Sequence, residues 1–193
     1  MTGPESTDEI TGYALAAGRG DRSAAASLIR ATQHDVRRFL VHLAGVREVD
    51  DLIQETYLRA WRSLPGFAGR SSARTWLFTI ARRVAVDQVR AAVARPRTTG
   101  VPDWQRFADG GAAPAQPEPD GEIILRQLID GLAPERREAF VATQVVGLSY
   151  AEAARVCGCP VGTIRSRVAR AREDLATALT TPLSQPVRRR QVG

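Results

Sequence analysis

Residues 148–175 read LSYAEAARVCGCPVGTIRSRVARAREDL, and this stretch predicts two helices with a tight turn between them. Ser149 and Glu152 have the S-x-x-E spacing of a capping box, which marks a helix start. Gly158 can end that short helix in the left-handed conformation, and Pro160 can open the next one at its first position. Two helices joined by a glycine-containing turn describe a helix-turn-helix.

The second helix of this motif separates its apolar from its polar residues. The side expected to pack inward holds Val161, Ile164, Val168, Ala171 and Leu175. The outward side holds Gly162, Thr163, Arg165, Ser166, Arg167, Ala169 and Arg170. No acidic residue lies between 165 and 172, whereas an ordinary surface helix mixes both signs of charge. Since arginine is the commonest reader of guanine edges in the major groove, this helix is predicted to bind DNA.

A second arginine-rich helix is predicted within residues 70–95, which hold six arginines and one acidic residue, Asp87. Its inward side holds Ala73, Trp76, Leu77, Ile80, Ala81 and Val84. Its outward side holds Thr75, Thr79, Arg82, Arg83, Val86 and Arg90. Hydroxyl and guanidinium groups without acids between them suit phosphates and base edges, so nucleic acid is the favoured partner.

The segment before it, DDLIQETYLRAWRSLPGF at residues 50–67, predicts a helix that begins near Asp50 and ends at Pro65. Its apolar stripe is Leu52, Ile53, Tyr57, Ala60, Trp61 and Leu64. Its polar face holds Asp51, Gln54, Glu55 and Arg62, with Leu58 in the middle. Spacing alone leaves open a solvated face or a small docking surface. A metal site at Asp51 and Glu55 is disfavoured because both histidines are predicted on another helix.

The chain is predicted to be all-α, with two small helical domains joined by a flexible linker. A helix capped by Asp21 is expected early in the first domain, with Leu28, Val36, Phe39, Leu40 and Leu43 as core residues. Five prolines lie within the 25-residue linker, which spans at most ~80–90 Å when fully extended. The predicted boundaries are a disordered N-terminus (1–8), a first domain (9–95), the linker (96–120), a second domain (121–181) and a basic tail (182–193).

Composition excludes several classes of protein. The formal net charge is +6, and all 27 basic residues are arginine. Two cysteines in a CxC spacing cannot form a disulfide scaffold, and they are expected to be buried rather than bound to zinc. No apolar run is long enough for a membrane span, and the acidic N-terminus is unlike a signal peptide, so a cytoplasmic protein is expected. Neither a cofactor nor a metal is predicted, and no hydrolase or nucleotide-binding motif occurs.

In this order and around a linker, DDLIQETYLRAWRSLPGF, SSARTWLFTIARRVAVDQVR and LSYAEAARVCGCPVGTIRSRVARAREDL resemble a sigma factor of the sigma-70 family. Because the resemblance covers two domains only, the chain is similar to the extracytoplasmic-function (group four) subclass. The sequence of these motifs is similar to that of the actinobacterial sigma factor C type. The resemblance implies a sigma factor that binds core RNA polymerase, directs it to specific promoters and assists promoter melting.

The resemblance also implies roles for individual residues. Docking on the clamp helices of the largest polymerase subunit falls to Asp51, Leu52, Ile53, Gln54, Glu55 and Leu58. Reading of the minus-ten promoter element falls to Ser71, Ser72, Arg74, Thr75, Trp76, Thr79, Arg82 and Arg83. Reading of the minus-thirty-five element falls to Thr163, Arg165, Ser166, Arg167, Ala169 and Arg170. Trp76 stays open between a core residue and a base contact, since it borders the inward side of its helix.

Two other functions compete with this interpretation. The second domain also resembles that of LuxR-type helix-turn-helix regulators, but residues 9–95 show neither the α/β alternation nor the ligand pocket of a sensing domain. An enzyme is disfavoured because no nucleophile lies in a recognisable motif. The expected partners are core polymerase, promoter DNA and a separate anti-sigma factor, which is common in the family, without membrane insertion.

Overall fold

The computed structural model describes residues 6–45, 49–94 and 120–180, and within these ranges it contains helices and no strands. The predicted all-α class is therefore confirmed. Residues 1–5 of the predicted disordered start, the predicted linker up to residue 119 and the predicted tail lie outside the described residues.

Four α-helices form the first half of the fold. They are α1 (Thr7–Gly18), α2 (Arg22–Ala44), α3 (Val49–Ser63) and α4 (Ala73–Ala94). Asp21 caps α2 as predicted, because its Oδ1 accepts the backbone N–H groups of Ser23 and Ala24 at 2.8 and 3.0 Å. A short 3-10 turn, Leu64–Gly66, ends α3 at the predicted proline.

Helix α1 begins inside the stretch that the sequence predicts to be disordered. The Ser6 hydroxyl accepts the backbone N–H of Glu9 at 3.2 Å and so caps the helix. Asp8 and Glu9 lie in the first turn, where negative charge is favourable to the helix dipole. The acids that suggested disorder therefore stabilise a helix start, and Thr7 and Asp8 belong to α1.

The second half of the fold contains the predicted helix-turn-helix. Its helices are α5 (Asp120–Asp130), α6 (Pro134–Phe140), which continues as a π-helical turn (Val141–Val145), α7 (Tyr150–Cys157) and α8 (Val161–Thr180). The capping box of Ser149 and Glu152 is present, and Gly158 ends α7 in the left-handed region at φ 66° and ψ 38°. Helix α8 begins directly after Pro160.

One cluster of buried apolar side chains continues from α2, α3 and α4 into α6, α7 and α8. Within it, Phe39 of α2 and Phe78 of α4 meet edge to face with ring centroids 5.2 Å apart, and Ile164 and Val168 of α8 are fully buried. A smaller cluster joins α1 to the start of α2. The two predicted domains are thus packed against each other, and α4 lies between α2, α3 and the second domain.

Candidate nucleic-acid and protein interfaces

Helix α3 exposes a mixed polar and apolar stripe, which we call the α3 face: Asp51, Gln54, Leu58 and Trp61. Asp51 and Gln54 are exposed, and Leu58 is 44% exposed, as expected for an apolar residue within the polar face. Trp61 is 54% exposed, so its assignment to the inward stripe is wrong. Trp61 lies seven residues after Gln54, at the border of that stripe, so helical spacing alone does not decide which side it takes.

Three of the residues predicted to dock on polymerase are not free on this face. Leu52 is buried, because it belongs to the core that α3 shares with α4, and Ile53 packs partly against the same core. Glu55 accepts a hydrogen bond from Arg59 Nε at 2.7 Å. Arg59 also donates to Asp87 of α4 at 2.8 Å, and hydrogen bonds to Asp87 and Glu55 raise the pKa of its guanidinium. Glu55 therefore helps to join α3 to α4.

The predicted minus-ten residues, apart from Trp76, are called the α4 face: Ser71, Ser72, Arg74, Thr75, Thr79, Arg82 and Arg83. Two carboxylates of the second domain lie against it. The hydroxyls of Ser72 and Thr75 donate to Glu152 Oε1 of α7 at 2.9 and 3.2 Å. Arg82 forms a salt bridge with Glu138 of α6, and this hydrogen bond raises the pKa of Arg82 despite partial burial. Thr75 is only 2% exposed as a result of this packing.

The remaining residues of the α4 face differ in whether their side chains form hydrogen bonds within the protein. Arg74 donates to Asp35 Oδ2 of α2 at 2.6 Å and to the backbone carbonyl of Val146 at 2.9 Å. The Thr79 hydroxyl donates to a backbone carbonyl of its own helix, whereas Ser71 is half-buried and Arg83 is exposed. Sequence reasoning gave no sign of the acidic partners, since they lie 39 to 80 residues away from the groups they bind.

Trp76, which the sequence left open between a core residue and a base contact, packs against a neighbouring aromatic ring. It is half-buried, and it packs against Phe67 with ring centroids 5.0 Å apart. Phe67 lies directly after the short turn Leu64–Gly66, so the pair holds the loop before α4 against the start of that helix. Its contact with Phe67 makes Trp76 a support for this loop.

Helix α8 presents the second arginine-rich surface, called the α8 face: Gly162, Thr163, Arg165, Ser166, Ala169 and Arg170. Arg165, Ser166, Ala169 and Arg170 are all exposed, while Thr163 is half-buried. Arg167 turns toward the turn before the helix, where its Nη1 lies 3.7 Å from Cys159 Sγ. Gly162 and Ala169 leave space around the guanidinium groups, which suits close approach to a groove.

Glu152 connects the helix-turn-helix with the α4 face. Burial would raise the pKa of Glu152, but hydrogen bonds from the Ser149 backbone and from the side chains of Ser149, Ser72 and Thr75 together lower it. Its Oε2 completes the capping box of α7 while its Oε1 accepts from α4. The charged carboxylate therefore stabilises both the motif and its contact with the first domain.

Both cysteines at the turn of the motif are free thiols. Cys157 is buried, and burial raises the pKa of its thiol to about 12, which leaves it protonated at neutral pH. Nowhere in the described residues do three or more metal-ligating side chains come together. Across residues 6–45, 49–94 and 120–180, none of the helices has the length and apolarity to cross a membrane.

Two family models match the chain. Sigma-70 region 2 matches residues 28–95, and sigma-70 region 4 matches residues 122–175. The α3 and α4 faces fall within the first match, and the α8 face falls within the second.

Curated relatives match along most of the chain. It is 49% identical over 176 residues to the ECF RNA polymerase sigma factor SigC of Mycobacterium tuberculosis, covering 91% of this chain and 94% of the relative. A probable RNA polymerase sigma-C factor of Mycobacterium bovis matches with the same identity and coverage. The ECF RNA polymerase sigma-E factor of Escherichia coli is 34% identical over 166 residues, covering 81% of this chain and 87% of the relative.

Two solved structures share the fold. CnrH in complex with the cytosolic domain of CnrY matches with a TM-score of 0.68 and 26% identity, covering 90% of this chain and 97% of that one. The sigma factor RpoE of Bartonella quintana, in complex with the anti-sigma factor NepR, matches with a TM-score of 0.63 and 28% identity, covering 80% of this chain and 95% of that one.

Proposed function

Because this chain belongs to the sigma-70 family and is an RNA polymerase sigma factor of the extracytoplasmic-function class, we propose a division of work among its three faces. A sigma factor binds core polymerase, directs it to specific promoters and assists promoter melting. The proposed division rests on one observation: the α3 and α4 faces lie within the region 2 match, and the α8 face lies within the region 4 match. A LuxR-type regulator is set aside, since residues 28–95 match sigma-70 region 2.

The α3 face is proposed to dock on the clamp helices of the largest polymerase subunit. Leu58 and Trp61 supply exposed apolar area, and Asp51 and Gln54 supply polar groups beside it. An aromatic anchor with a polar surround is the usual composition of a binding hot spot. Leu52 and Ile53 support the helix from inside, and Glu55 acts through Arg59.

The two arginine-bearing faces are proposed to read the promoter. The α4 face and the loop before it would hold the minus-ten element and its unpaired strand, with guanidinium and hydroxyl groups on the phosphates and bases. The α8 face would enter the major groove at the minus-thirty-five element, with Arg165 and Arg170 as the candidate base readers. The two domains proposed to carry these roles span residues 9–95 and 121–181.

We further propose that the chain has no catalytic group of its own and acts in the cytoplasm, where it meets polymerase and DNA. Phosphodiester bond formation then belongs to the polymerase. A separate anti-sigma factor is a candidate partner, which the complex of RpoE with NepR supports by similarity.

The proposed docking site is tested by replacing Leu58 and Trp61 with alanine and titrating core polymerase. Each truncation removes exposed apolar area that only a bound partner would cover, so we expect a loss of about 2 kcal/mol or more for Trp61→Ala. The double variant should bind more weakly than either single variant. Affinity is measured by fluorescence anisotropy of the labelled chain.

The matched control is Ile29→Ala, which removes an exposed apolar side chain from α2 in the same domain. This variant should bind core polymerase as the wild type does. If Trp61→Ala and Ile29→Ala bind core equally well, the α3 face is an ordinary solvated surface.

A further inference from the structure

We propose that a groove between α4 and α6 is the docking site for residues 101–109 of the predicted linker, VPDWQRFAD, which lie outside the described residues. The ring of Trp104 enters the groove. Because α4 belongs to the first domain and α6 to the second, the docked linker contacts both. This contact lies within one chain and involves neither polymerase nor promoter DNA, so it goes beyond the proposed function.

The groove lies where the C-terminal half of α4 meets the start of α6, and it encloses about 480 Å³. Pockets that bind ligands typically measure about 300–1,000 Å³. The apolar side chains that line the groove are Leu43, Ala85, Val86, Val89 and Pro134. Val89 is 47% exposed, so the groove offers apolar area that the described residues leave uncovered.

The polar side chains of the groove leave positive charge without an acidic partner. Arg82 lines the groove and forms a salt bridge with Glu138, so their charges offset each other. Arg137 Nη2 donates to two backbone carbonyls near the end of α5, while its Nε is buried without a hydrogen-bond partner among the described residues. Arg90 is exposed, and no described residue forms a salt bridge with it. With Glu135 as the only other acid among the lining residues, the groove suits an apolar segment that carries acidic groups.

The predicted linker contains one segment of that composition. All of its large apolar residues, Val101, Trp104 and Phe107, lie within a stretch of seven residues. Two aspartates against one arginine give residues 101–109 a formal charge of −1. Since segments that stay solvated are poor in aromatic residues, this cluster indicates a segment that packs against a surface.

The segment can reach the groove because the linker leaves α4 close to it. Helix α4 ends at Ala94, one turn after Arg90, the lining residue nearest to that end. Pro96 disfavours a longer helix, so the chain can turn back toward α6. The ten residues from Ala94 to Trp104 span up to ~33–36 Å, whereas the groove follows α4 from Arg90 to Arg82 over ~12 Å. The short tether therefore holds the segment at a high effective concentration beside the groove.

The test uses the full chain with Trp61→Phe and Trp76→Phe, which leaves Trp104 as the only tryptophan. Acrylamide quenching of its fluorescence measures how accessible the ring is, and a synthetic peptide of residues 98–112 gives the value for a free ring. We expect a lower quenching constant and a blue-shifted emission in the chain than in the peptide, because the docked ring leaves water.

Val89→Asp is then added to this chain. A carboxylate on the apolar side of the groove would have to be desolvated on docking, so we expect the docking equilibrium to shift by about ten-fold or more toward the undocked state. The quenching constant of Trp104 should rise toward that of the peptide. Ile29→Asp is the matched control, because it makes the same kind of change at an exposed apolar position of α2 that does not line the groove.

Arg90→Glu tests the contribution of charge. Reversing this charge should repel the acidic segment and raise the quenching of Trp104, and the rise should shrink as salt is added. Arg83→Glu makes the same change at an exposed position of α4 that does not line the groove, and it should leave the quenching unchanged. Circular dichroism checks that every variant keeps its helices.

The outcomes decide the occupant of the groove. If Trp104 is quenched as freely in the chain as in the peptide, the segment does not dock and the inference is overturned. Equal effects of the groove variants and their controls would overturn it as well, because the ring would then pack elsewhere. Protection that grows with protein concentration would assign the groove to a second copy of the chain instead of its own linker. None of these measurements involves polymerase or DNA, so the proposed function is tested separately.

Discussion

Helices α4 and α8 both present arginine and hydroxyl side chains on one face, yet the first face lies under the second domain and the second face lies open. Arg82 is paired with Glu138, whereas Arg165 and Arg170 of α8 are exposed. Two helix faces of similar composition therefore differ in how accessible they are to a binding partner. Acidic partners for the α4 face come from a distant part of the chain, whereas no described residue covers the α8 face in this way.

The largest expected effect comes from the double change of Arg82 and Arg83 to alanine. Two charged hydrogen-bond donors would be lost from the α4 face, together worth about 3–6 kcal/mol. We expect open-complex formation to fall by about a hundred-fold or more, while base preference at the minus-thirty-five element is kept. Permanganate footprinting of a selected promoter measures this.

A charge-matched control accompanies that variant. Arg22 and Arg30 of α2 are exposed, and their replacement by alanine removes the same charge from the first domain. If this control impairs melting equally, the effect of replacing Arg82 and Arg83 comes from the loss of net charge. The α4 face would then have no specific role in promoter melting.

A smaller effect is expected at the open face. Arg170→Ala should lose about 1–3 kcal/mol and relax base preference locally, because a bidentate base contact would be removed. Arg165→Ala should do the same if Arg165 reads a base. If Arg165 binds a phosphate instead, the change should weaken binding to all promoter sequences equally. Promoter-library selection with each variant separates the two, and minus-ten preference should survive both changes.

Arg172→Ala is the control for that experiment, since Arg172 donates to Gln144 at 2.8 Å and lies off the α8 face. Its base preference should equal that of the wild type. A shift in minus-ten preference caused by Arg170→Ala would show that the two helices have been assigned the wrong elements.

The smallest effect concerns pH and the contact between the domains. The pKa of Glu152 is lowered from its ordinary value of 4.5, so its charged form stabilises the folded chain above that pH. This stabilisation should be lost as the pH falls below 4.5 and through the lowered pKa. Urea unfolding of the wild type and Glu152→Gln at neutral and acidic pH checks it: the difference in unfolding free energy should shrink on acidification. If the difference in unfolding free energy stays constant with pH, the charge of the Glu152 carboxylate does not contribute to the contact.

Local features of the fold were predictable from the sequence because they depend on near neighbours. Asp21 caps the residues directly after it, and Ser149 and Glu152 cap each other three residues apart. Gly158 adopts the left-handed conformation that its place between two helices requires. Leu58 was also predicted within the polar side of α3, since a helix fixes which residues share a face.

Features that depend on the far side of a helix were not predictable in this way. Trp61 lies at the border between two faces of α3, and only the packing of α3 on α4 decides that it stays exposed. The burial of Ile10, Ala14 and Ala17 of α1 likewise depends on α2 and neighbouring segments.

The sequence by itself determined the helices, the helix-turn-helix and the two arginine-bearing faces, because periodicity and capping act over a few residues. Only the tertiary structure decided that Glu138 and Glu152 cover the α4 face while the α8 face stays open. Those contacts join groups 56 to 80 residues apart, across a linker whose sequence does not specify how the domains meet. The physical reason is that an arginine binds any well-placed anion, and the fold alone brings one within reach.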